Sequence, residues 1–141
     1  MKLDLDSLRI SVRSLDLALG VVEDVAWMSA QSSVVHHTLI AGVIQNFEFT
    51  YEVAIKFIRR QLELDADSPV PIDHLGFKDM LRMAGERGLI DEMEPWVTYR
   101  TLRNITPHTY DQKKADLVYE RARPLLEDTR KLLKVLELRH G

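Results

Sequence analysis

The stretch from Ile40 to Leu62 reads IAGVIQNFEFTYEVAIKFIRRQL, and the spacing of its apolar side chains decides the fold class. Ile40, Ile44, Phe47, Tyr51, Ile55, Ile58 and Leu62 recur at steps of three and four, which return a side chain to one face of an α-helix. Val43, Phe49, Val53 and Phe57 widen that face, so the helix is predicted to be central and buried on more than one side. Ser32 and Ser33 offer a cap for its first turn. About 30 residues at about 1.5 Å each make it about 45 Å long.

Working outward, Leu8, Val12, Leu15, Leu19, Val22 and Ala26 predict a preceding helix over about residues 4–29. After the central helix, Asp65 to Pro71 reads as a connector, because Pro69 and Pro71 remove backbone donors and bias their predecessors to extended conformations. A short helix over about residues 76–87 carries Phe77, Met80, Leu81 and Ala84, with Gly88 as a left-handed cap. Asp91 is a candidate cap for a fourth helix, on which Trp96, Arg100 and Arg103 share a face. Asp111 can cap a fifth, with the stripe Val118, Ala122, Leu125, Thr129, Leu132 and Leu136 and a kink at Pro124. Alternating strand patterns, internal repeats and low-complexity tracts are absent from the sequence. The class is therefore all-α, an antiparallel bundle of four or five helices. The stripes on the first and fifth helices suit an intramolecular core and would also suit a seam between two chains.

With 141 residues, 45% of them hydrophobic, the chain suits one globular domain over residues 1–141. It carries 22 acidic and 19 basic residues, a net charge of −3, which excludes a generally basic nucleic-acid binder and leaves only local basic patches for any RNA contact. The absence of cysteine removes disulfides, thiolate metal sites and cysteine nucleophiles, and fits a reducing cytoplasm. No apolar run approaches the roughly 20 residues of a membrane span, and Met1 to Asp6 lacks a signal-peptide core, so no membrane association is expected.

Functional groups concentrate in Arg103-Asn104-Ile105-Thr106-Pro107-His108-Thr109-Tyr110. Arg103 is a permanent cation and fork donor, His108 can exchange a proton near neutral pH, and Asn104 and Tyr110 can orient a phosphate or a ribose. On an unbroken helix Arg103 and His108 would diverge by about 140°. Pro107 supplies the needed break, since it has no N–H for the carbonyl of Arg103. Each residue also has a plainer role: a surface ion pair for Arg103, a helix cap for His108 or Asn104, packing for Tyr110. Glu48 and Glu52 lie four apart beside aromatic residues; a structural ion pair suits them better than catalysis. His36 and His37 diverge by about 100° and make no chelating pair. His74 and His140 have no recognisable sequence partner, and neither a glycine-rich phosphate loop nor a metal-ligand cluster is present, so no cofactor or metal is assigned.

The spacing Arg, four residues, His, one residue, Tyr resembles the signature of HEPN-domain proteins, and Gln45 to Val53 is similar to the second helix of their nucleotidyltransferase substrate-binding-protein-like branch. The resemblance implies a metal-independent ribonuclease toxin, controlled by a minimal nucleotidyltransferase encoded nearby. In that reading His108 moves protons, Arg103 stabilises charge on phosphorus, Arg100, Asn104 and Tyr110 bind substrate, and two motifs face each other across a homodimer cleft. Tyr110 matches a tyrosine that the partner adenylylates. A non-catalytic subunit presenting a nucleotide or substrate to a separate nucleotidyltransferase is the alternative, and a purely structural assembly module a third.

Overall fold

The computed structural model describes residues 2–66 and 70–140. Eight α-helices and one 3-10 turn follow in order, with no strand among the described residues: α1 Asp6–Val22, α2 Val25–Ser29, α3 Ser33–Asp65, α4 Val70–Asp73, α5 Phe77–Glu86, α6 Glu94–Ile105, the turn Thr106–His108, α7 Gln112–Glu120 and α8 Ala122–His140. The all-α bundle is thus as expected from the sequence. Ser32 caps α3 by accepting from the Val35 N–H, and α3 packs against α1 and α5 through α8.

Side-chain pairs give the helix directions. Ser14 bonds to Asn46 and Thr50 donates to the Ser11 carbonyl, so α1 and α3 run antiparallel. Arg9 with Glu137, Arg130 with Asp16 and Arg123 with Glu23 set α8 antiparallel to α1. These pairs are largely solvent-exposed and contribute little stability each. The expected stripes of α1 and α8 are buried from Leu8 to Val22 and from Leu125 to Leu136. They join Val43, Phe47, Tyr51, Phe57 and Ile58 of α3 in one continuous core.

Four boundaries differ from the expectation. The first helix ends at Val22, and Asp24 caps a separate α2, which leaves Ala26 exposed. Asp91 does not cap α6; its carboxylate pairs with Lys131 at 3.2 Å, and α6 starts after Met93 with Pro95 in its first turn, where a missing N–H costs nothing. The fifth helix is two helices: the chain breaks at Arg121, which closes α7 with a bond to the Val118 carbonyl. Pro124 then falls in the first turn of α8, so the kink becomes a junction. Of the connector, residues 67–69 lie outside the described residues, and Val70 and Pro71 belong to the single turn α4. Gly88 does take the left-handed conformation, with φ +76°. Phe49, read as part of the central face, is 49% exposed. His140 has partners in three dimensions: its Nδ1 accepts from the Leu3 N–H and its Nε2 meets Gln61 Oε1.

An aromatic cluster fixes α6 against α3 and α8. Tyr99 stands edge-on to Phe47, with centroids 6.2 Å apart, and to Trp96, at 5.4 Å. Such pairs add about 0.5–1.5 kcal/mol beyond burial. The Tyr99 hydroxyl reaches out of the core to Asp128, and burial followed by that bond raises its pKa. Tyr99→Phe is therefore expected to lower stability by about 1 kcal/mol in urea denaturation while leaving the helical circular-dichroism signal unchanged. Unaltered stability would mean that the bond makes no net contribution.

Candidate functional site

Pro107 shapes the segment as its chemistry requires. The Arg103 carbonyl cannot receive an N–H from Pro107; it accepts instead from the backbone N–H of Thr106 and, at 2.8 Å, from the Thr106 hydroxyl. α6 therefore ends at Ile105, and the backbone tightens into the 3-10 turn. The Thr109 hydroxyl donates to the Thr106 carbonyl at 2.9 Å, and the Asp111 N–H to the His108 carbonyl at 3.1 Å. Asp111 then caps α7, accepting from the Lys113 and Lys114 N–H groups, as its sequence position indicated. Every turn of the segment is closed locally.

Two carboxylates of α3 meet this segment. Arg103 Nε donates to Glu52 Oε1 at 2.8 Å, and Nη2 bonds to the same oxygen. Glu48 Oε1 lies 3.8 Å from Nη2, while Glu48 Oε2 accepts from the Thr106 hydroxyl. That hydroxyl has one proton and two acceptors, Glu48 and the Arg103 carbonyl, so it serves one of them at a time. The ion pair expected of Glu48 and Glu52 is present, with Arg103 as partner. Its hydrogen bond to Glu52, opposed by partial desolvation, raises the already high pKa of Arg103. Nη1 alone has no hydrogen-bond partner among the described residues.

The other candidate residues surround this clasp. Arg100 does not share the carboxylates: its guanidinium lies over the Phe77 ring of α5, 4.4 Å from the centroid, a cation–π contact. Asn104 and His108 are exposed. The His108 and Tyr110 rings meet edge to face at 6.2 Å, and Tyr110 is 87% exposed. Histidine and tyrosine are thus brought together, whereas no hydrogen bond joins Arg103 to His108 among the described residues. Beneath Arg103, burial pushes the Tyr51 phenol from 10.0 up to about 12, against the opposing pull of Arg100 and Arg103.

Sequence reasoning missed Thr106 as a functional position and did not name the partner of Glu48 and Glu52. The signal for Thr106 was present: it precedes Pro107 and follows Arg103 by three residues, where its hydroxyl and amide can serve the carbonyl that proline leaves open. The pairing of Phe77 with Arg100 had no local signal, because 23 positions separate them (77 and 100).

The helical bundle and its broken-helix motif belong to a defined class: the chain is a member of the family described as nucleotidyltransferase substrate binding protein like, whose model matches residues 3–138. Among individual relatives, it is 45% identical over 139 residues to a protein of Haemophilus influenzae named probable ribonuclease HepT, covering 99% of this chain and 95% of the relative. The solved structure of HI0074 from Haemophilus influenzae, described as having the fold of a substrate-binding domain of a nucleotidyltransferase, aligns with a TM-score of 0.92 and 45% identity, covering 95% of this chain and 99% of that one.

Two measurements check the site as built. Thr106→Val keeps the shape and removes the hydroxyl, and is expected to cost about 1–2 kcal/mol and to speed amide exchange at residues 106–111; unchanged exchange would dissociate the hydroxyl from the order of the turn. Tyr51 holds its proton more tightly in the folded state than in the unfolded chain. Its contribution is therefore fully present below pH 10.0 and is lost as pH rises toward about 12. The alkaline fall in stability should be shallower in Tyr51→Phe than in the parent protein.

Proposed function

We propose that the chain is a metal-independent HEPN-type ribonuclease, the toxin of a toxin–antitoxin pair, held in check by a minimal nucleotidyltransferase. The observation that carries this reading is the exposed break at Pro107, where His108 stands free in solvent one turn beyond an arginine that α3 orients. The name of the Haemophilus relative, probable ribonuclease, supports it. In the reaction His108 accepts the proton of a ribose 2′-OH as its oxygen attacks the adjacent phosphorus. The new O–P bond forms as the bond to the 5′-oxygen breaks, which leaves a cyclic phosphate and a 5′-hydroxyl. Arg103 stabilises the charge on the phosphoryl oxygens through its uncommitted Nη1. Arg100, Asn104 and Tyr110 contact the RNA, and Lys113 and Lys114 in the first turn of α7 extend the positive charge.

One histidine supplies one proton-transfer group, while the reaction needs a base for the nucleophile and an acid for the leaving oxygen. A homodimer with two motifs across its axis supplies both. Control by the nucleotidyltransferase runs through complex formation, through adenylylation of Tyr110, or both; AMP on an exposed phenol beside His108 would block an anionic substrate by bulk and charge. The compartment is the cytoplasm. The family description and the solved relative favour a second reading, a non-catalytic subunit that presents a nucleotide or substrate to a nucleotidyltransferase.

RNA incubated with the purified protein in excess chelator is expected to be cut, and His108→Ala to abolish cutting with helicity and dimerisation intact. Arg103→Lys should be severely impaired, because lysine cannot hold Glu52 with one edge and a phosphate with another nitrogen. A wild type inert on every RNA would favour the second reading. Co-expression with the neighbouring nucleotidyltransferase should add AMP to the protein, detectable by intact mass and lost in Tyr110→Phe; modification at Tyr51, Tyr99 or Tyr119 instead would refute the assignment to Tyr110.

A further inference from the structure

Beside the motif, a cleft of about 370 Å³ opens between the first turns of α3 and the segment leading into α7. We infer that this cleft receives a nucleobase of single-stranded RNA, next to the phosphate held at Arg103 and His108; the inference rests on the ribonuclease reading. Its floor is apolar, made by Ile40, Ile44 and Ala115, the last two buried. Ile44 lies one turn before Glu48 on α3, about 6 Å along the helix, so the cleft is a neighbour of the clasp around Arg103, whose carboxylates Glu48 and Glu52 line a separate depression. On the opposite wall Thr109 directly follows His108.

The rim suits the edge and face of a base. His36 and His37 both line the cleft. The His36 ring is held by the Met28 carbonyl through Nε2, whereas the exposed His37 makes no hydrogen bond among the described residues. Imidazole rings are among the groups on which unstacked RNA bases lie. The Thr109 hydroxyl spends its proton on the Thr106 carbonyl, and the Gln112 amide donates to Asp116 at 2.7 Å. What these two side chains have left for a ligand is the Thr109 hydroxyl oxygen and the Gln112 carbonyl oxygen as acceptors, and one Gln112 N–H as donor. Two acceptors and one donor over an apolar floor match an exocyclic amino group, which has two N–H donors, beside a ring-nitrogen acceptor, as in adenine or cytosine, in preference to uracil.

The test uses the full chain carrying His108→Ala, so that RNA is bound and not consumed, with fluorescein-labelled hexamers of adenylate, cytidylate and uridylate read by anisotropy. The adenylate and cytidylate hexamers are expected to bind about 3–10-fold more tightly than uridylate, the range of one or two hydrogen bonds. Ala41 lines the cleft and is exposed, so Ala41→Trp can fill the space without disturbing the core. It should weaken the adenylate hexamer about tenfold, the loss of one stacked base, at unchanged melting temperature. His37→Ala, which adds no bulk, should weaken it in the same direction. Hexamer affinities unaffected by both substitutions would overturn the inference while wild-type RNA cleavage left the ribonuclease reading standing. ATP that binds and is not displaced by any hexamer would overturn RNA as the occupant. A protein that neither cleaves RNA nor binds the hexamers would remove both readings.

Discussion

A helix that loses one N–H must find the orphaned carbonyl another donor or stop, and at Pro107 this chain does both. The Arg103 carbonyl keeps its partners through the amide and hydroxyl of Thr106, and the same hydroxyl meets Glu48 on the central helix. Glu52, one turn further along α3, takes the Arg103 guanidinium. A backbone defect, a helix end and two carboxylates on another element are thereby joined in one clasp. It adds polar partners to the packing of α6 and α7 against α3 on either side of the turn at residues 106–108.

The clasp also changes what the arginine can offer. An isolated guanidinium presents a two-pronged edge that matches a phosphate. Here Nε and Nη2 are turned to Glu52, and the end bearing Nη1 is free. Arg103 is about 29% exposed, so it is half anchored and half presented. This division of one side chain between an anchored edge and a free end gives a fixed direction for the remaining donor, which a flexible surface cation would lack.

The sequence made the bundle legible because helical stripes are periodic: Leu8 to Val22, Ile44 to Leu62 and Val118 to Leu136 each announce a buried face, and each is buried. The same periodicity hid the junction at Arg121, since the stripe continues across it and a change of backbone direction leaves no mark on spacing. Phe49 shows the opposite failure. A phenylalanine between Glu48 and Thr50, beside a buried face, reads as core, yet it falls on the solvent side of α3. At the site, the reactive residue types and the Pro107 break could be read locally. Their partners could not, because Arg103 and Glu52 are separated by 51 positions and Thr106 and Glu48 by 58, and only packing brings them together.

The junction at Arg121 also divides the C-terminal part of the chain into two unequal pieces. α7 is nine residues long and buries Ala115 and Val118, whereas α8 is 19 residues long and sends six buried residues into the core. Had the two formed one rod, loosening its first half would have strained the second. Because α7 closes at Arg121, the turn at residues 106–111 and α7 form a segment whose helical ladder is separate from that of α8. Arg103 to Tyr110 lie on one side of that boundary, and α8, which supplies six buried residues, lies on the other. The helix that carries the core and the segment that carries the exposed polar groups are thus separate pieces of backbone, and a change in one need not be transmitted along a shared ladder to the other.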